Sequence, residues 1–112
     1  MRKKITLLPL LCALAWLPSA QSSTEVELAA ISRMGELNGI ALQCSYVDQM
    51  QRIKQALVLN LPKRRELGEY FEKTTNSAFM RFMENQSTCP DALTFVDDVG
   101  SAISELESTF KK

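Results

Sequence analysis

The chain is 112 residues long, with 13 basic and 13 acidic side chains, three cysteines and no histidine. So even a balance is not that of a nucleic-acid binder, and the missing imidazole removes the usual base of Ser-His-Asp and Cys-His hydrolases, a common zinc ligand and the usual pH switch. A domain of this size buries only about 60–65% of its unfolded surface, so added covalent constraint matters.

Residues 1–20 read as a secretory signal peptide. "MRKK" is the charged start, "ITLLPLLCALAWL" an apolar run, and "PSAQS" supplies small residues for cleavage after Ala20 or after Ser22. The run has 13 residues, against the roughly 20 that a membrane-spanning helix needs. Leu11 precedes Cys12 where a lipobox requires a small residue, so Cys12 leaves with the leader. With Arg2, Lys3 and Lys4 removed, 10 basic groups remain against 13 acidic ones, a net charge near −3. Residues 21–112 then form a single domain, expected to be all-α: a small bundle of three to four helices stapled by one disulfide.

The first helical segment begins at "STEVELAA", where Thr24 and Glu27 have the spacing of a capping box. Ala30, Met34, Leu37, Ala41 and Cys44 draw one apolar stripe, while Gly35 and Gly39 each lower helicity by about 1 kcal/mol and allow a looser or bent start. The stripe continues with a shift through Tyr46 or Val47, Met50, Ile53, Leu57 and Leu61. That shift is either a stutter in one long helix or a break near Ser45. Pro62 ends this region, because the residue before a proline is pushed out of the helical basin. Pro62 also suits the start of the next helix, whose inner face is marked by Leu67, Phe71, Thr74, Ala78 and Phe82.

Asn85 to Thr88 read as a polar connection. Thr88 is then the expected N-cap of the last helix, with Cys89 and Pro90 in its first turn and Asp91 accepting backbone N–H bonds. Ala92, Val96, Val99, Ile103, Leu106 and Phe110 give this helix its apolar face. Cys44 and Cys89 are an even pair in an exported chain, which predicts a disulfide. Closing 45 residues of separation stabilises the fold by about 4 kcal/mol on the chain-entropy model. The competing readings are a reactive thiol at a helix start and a metal site, but the chain has no C-x-x-C pair and no histidine.

Nothing in the pattern assembles a catalytic site or a cofactor site. Asp97 and Asp98, and Glu105 and Glu107, are too divergent on a helix to converge locally, and the four glycines form no phosphate loop. The chain is therefore expected to be no enzyme, to need no cofactor or metal, and to work by contact. The candidate contact residues are the apolar surplus at Val58, Leu59, Tyr70, Phe79, Met80 and Met83, together with the basic run Lys63, Arg64 and Arg65. Met80 shares its face with Glu69, Lys73, Asn76 and Glu84, the side expected to be wet. Asn85-Gln86-Ser87 matches a glycosylation sequon, which carries no weight in most bacteria.

The layout of leader, helices, an early-helix cysteine, a second cysteine and a closing amphipathic helix resembles the small acid-stress chaperones of the bacterial periplasm. It is also similar to the pilotins that escort secretin subunits, although those are lipoproteins and this chain lacks a lipobox. In both groups the two cysteines form a disulfide, which the resemblance carries onto Cys44 and Cys89. The expectation is a protein-binding module of the bacterial periplasm, chaperone-like or secretion-accessory, that contacts the membrane only transiently through its leader. The alternatives are an inhibitor or immunity protein bound to a toxin or hydrolase, and a structural homo-oligomer such as a homodimer.

Overall fold

A computed structural model describes residues 23–111, and the expected leader lies outside them. Four helices are present among the described residues: α1 (Ser23–Cys44), α2 (Val47–Asn60), α3 (Arg65–Glu84) and α4 (Ala92–Phe110). No strand is present among them, and one disulfide joins the bundle. None of these helices is long and apolar enough to cross a membrane.

The helix directions follow from paired positions. Arg64 reaches Glu27, the turn at Thr74 meets Gly35, and the Gln43 amide donates to the Phe79 carbonyl, so α1 and α3 run parallel. The Tyr46 ring packs at a tilt against that of Phe95 where α2 and α4 begin, and Asn60 comes beside Thr109 where they end. α2 and α4 therefore run together against the direction of α1. The backbone of α1 comes within 8 Å of all three other helices, whereas that of α3 comes within 8 Å of α1 alone.

α1 is buried on two sides. Ala30, Met34, Leu37 and Ala41 face the core as their spacing predicts, and Ile31, Gly35, Asn38 and Gly39 are buried beside them. The helix runs unbroken through both glycines, which let α3 approach. A Cβ on Gly39 would lie 2.7 Å from the Thr75 carbonyl oxygen and 2.8 Å from the Phe79 nitrogen. One on Gly35 would overlap the Thr74 hydroxyl and sit 3.2 Å from the Phe71 carbonyl oxygen. Asn38 is buried in the same seam and donates to the Thr75 hydroxyl at 3.3 Å. Its amide oxygen has no hydrogen-bond partner among the described residues.

The start of α1 differs from the capping-box reading, because the helix is already under way at Ser23. Thr24 is thus inside it, and Glu27 instead pairs with Arg64 at 3.8 Å.

Between α1 and α2 the alternatives resolve to a break. Ser45 takes φ 61°, and the Tyr46 N–H donates to the Ala41 carbonyl at 2.9 Å, closing α1 with the six-to-one bond of a Schellman motif. α3 ends the same way, with Gln86 at φ 52° and the Ser87 N–H on the Phe82 carbonyl at 3.0 Å. Both sites lack the glycine usual there, and each carries a cost of order 1–2 kcal/mol.

α3 begins at Arg65, three residues beyond Pro62, in a turn where the Arg64 N–H donates to the Pro62 carbonyl. Its buried residues are Leu67, Phe71, Thr75 and Ala78. Thr75 replaces the expected Thr74 because Asn38 and Gly39 draw that side of α3 inward, and Phe82 is only half-buried.

α4 corrects two expectations. Its N-cap is Asp91, not Thr88: the carboxylate accepts from the Leu93 and Thr94 N–H groups, each at 3.1 Å, and the helix starts at Ala92. Cys89 cannot open the helix because it precedes Pro90, which disfavours helical dihedrals at residue 89. The buried face is Phe95, Val99, Ala102 and Leu106 rather than the full predicted stripe. Ala92 and Val96 are exposed, and Ile103 and Phe110 are half-buried. Phe95, absent from the predicted face, is the largest side chain in the fully buried core. Its burial contributes about 3 kcal/mol.

Candidate functional site

The disulfide marks one end of the molecule. Cys44, the last residue of α1, bonds Cys89 in the loop before α4, with 5.7 Å between Cα atoms. The bond leaves neither cysteine as a reactive thiol. Beside it the Tyr46 hydroxyl donates to the Pro90 carbonyl at 2.5 Å, and its ring lies 5.2 Å from that of Phe95. Among the described residues no group of three or more His, Cys, Asp or Glu side chains is placed to hold a metal ion. Asp97, Glu105 and Glu107 are exposed and Asp98 is half-buried on the outer part of α4.

The nine residues singled out for contact do not form one surface. Val58, Lys63, Arg64 and Arg65 line a groove of about 610 Å³ between the end of α2 and the start of α3. Leu57, Leu61, Pro62 and Phe71 complete its apolar wall, and Lys54 and Glu72 add one charge of each sign. The groove exists because α3 leans on α1 and leaves α2 unpaired on that side.

Phe79, Met80 and Met83 lie toward the other end of α3. At 1.5 Å per residue, Met83 is about 27 Å along the helix from Arg65. Met80 and Met83 are each 47% exposed, and Phe79 is half-buried against α1. Leu59 sits on α2 outside the groove lining, and Tyr70 packs against the core.

Sequence reasoning missed three exposed residues at the disulfide end. Val47, Leu93 and Val96 are 54%, 77% and 37% exposed; Val47 and Val96 line a shallow cleft of about 360 Å³ with Tyr46 and Ala92. Leu93 carried a readable signal, since it falls outside the apolar stripe of α4. Lys54 was missed as well, because only the fold brings it across from the Lys63–Arg65 run.

No protein-family model, no curated protein and no solved structure matches this chain.

Proposed function

We propose that the chain is an exported, non-catalytic protein-binding module, of the kind that chaperones or assists another protein in an oxidising compartment such as the bacterial periplasm. The observation that carries this reading is the outward placement of Met80 and Met83 on a helix whose inner face is already filled by Leu67, Phe71, Thr75 and Ala78. Neither methionine is needed to close the core. Methionine is flexible and polarizable, and it adapts to apolar side chains of differing shape. The Cys44–Cys89 bond and the leader-like residues 1–20 support export, since structural disulfides belong to oxidising compartments.

A photo-crosslinking amino acid placed at Met80 or Met83 in the native compartment tests the reading. A discrete adduct from both positions, absent from exposed Gln55 on α2, is the expected result. An adduct of twice the chain mass would assign the surface to a homodimer instead. Labelling no stronger than at Gln55 would remove the basis for the proposal.

A further inference from the structure

The cations of this chain are segregated. Between Asp48 and Glu66 there is no acidic residue and there are five basic ones, half of the ten that follow residue 20. Arg52 turns toward α4, donating to the Val96 carbonyl at 3.3 Å. Lys54, Lys63, Arg64 and Arg65 gather at the end of α2 and the turn into α3. The carboxylates beside them are Glu72 on the groove, Glu27, whose oxygen lies 3.8 Å from Arg64, and exposed Glu66, next to Arg65 in the first turn of α3. Beside these charges Val58 and Leu59 are 75% and 74% exposed.

We propose that this corner docks on an anionic phospholipid surface, with the cations at the headgroups and Val58 and Leu59 entering the interface. Basic residues beside exposed aliphatics are the pairing by which peripheral proteins hold such membranes. An acidic polypeptide lying in the groove would also meet the cations, but it would leave Leu59 unused. Successive helical residues diverge by about 100°, so Val58 lines the groove while Leu59 points away from it. Both belong to the last turn of α2, which ends at Asn60 and leads directly into the basic turn, and both are exposed there. This goes beyond the protein-binding reading and is independent of it, because Met80 and Met83 lie toward the opposite end of α3.

The test uses the full chain with Leu59→Trp in a Trp16→Phe background, so that indole emission reads the corner alone. The apolar run of residues 5–17 is common to every variant compared. Vesicles of phosphatidylcholine mixed with phosphatidylglycerol should shift the emission to the blue, and phosphatidylcholine alone should not. High salt should reverse the shift. Adding Lys63→Glu and Arg65→Glu should weaken vesicle affinity by at least about thirtyfold, since each change removes a cation that contributes roughly fivefold and adds a repelled carboxylate. Val58→Ser should weaken it further. All four positions are exposed, and circular dichroism under non-reducing conditions checks that the fold is intact. The proposal is overturned by an absent shift on anionic vesicles, an equal shift on neutral ones, or unchanged affinity in the charge-reversed pair. A shift produced by an acidic peptide but not by vesicles would assign the corner to a protein and overturn it too.

Discussion

The two sides of α1 are packed differently. Toward α2 and α4 it presents Ala30, Met34, Leu37 and Ala41 to large partners, among them Ile53, Phe95, Val99 and Leu106. Toward α3 it presents Gly35 and Gly39, so that backbone meets backbone, with the buried pair Asn38 and Thr75 between them. The first side draws on apolar area removed from water. The second adds close fit to the burial of Leu67 and Phe71 in the same core, and it has to hold a helix with no other helical neighbour at backbone distance. The disulfide bears on that difference. It closes the segment from 44 to 89, which contains all of α3, and so returns the far end of α3 to the end of α1. A helix with one neighbour is thereby tied at both ends, by the turn through Pro62 and by Cys89.

The sharpest way to break the contrast is Phe95→Ala, which opens a large void on the α2–α4 side alone. A loss of about 3–5 kcal/mol is expected from urea unfolding; a loss under about 1 kcal/mol would mean that Phe95 does not anchor that side. Next comes removal of the staple by joint Cys44→Ser and Cys89→Ser substitution, expected to cost about 2–4 kcal/mol. Hydrogen exchange should then show α3 losing amide protection before α2 and α4 do. Uniform loss across all four helices would show that α3 is no more dependent on the bond than the rest.

The smallest effect is the most specific. Gly39→Ala should destabilise by about 1–2 kcal/mol, because overpacking against the Thr75 and Phe79 backbone exceeds the gain in helix propensity. The same change at Gly68 meets no atom within 4 Å and should stabilise by up to about 1 kcal/mol. Equal signs in thermal or chemical unfolding would show that the α1–α3 seam is not closely fitted.

Much of this arrangement is legible in the order of the residues. The α2 stripe through Ile53 and Leu57 and the Cys44–Cys89 pair follow from spacing and type, whereas spacing alone allowed either a stutter or a break near Ser45. The candidate surface is less legible: the nine residues separate between two ends of α3 and the outside of α2, because a linear pattern marks apolar surplus without saying which neighbour is missing beside it.

By itself the sequence determined that this chain is helical and which sulfurs join, since those depend on local periodicity and an even cysteine count after residue 20; it left three or four helices open, and the left-handed turn at Ser45 decided for four among the described residues. The rotation of α4 was decided by tertiary structure. Its apolar arc is wide enough to hold two stripes that share Val99 and Leu106, and packing against α1 and α2 selects the one with Phe95 and Ala102. The role of the α1 glycines was decided in the same way: a missing Cβ reads as helix weakness along the chain and becomes a docking surface only when a second backbone arrives.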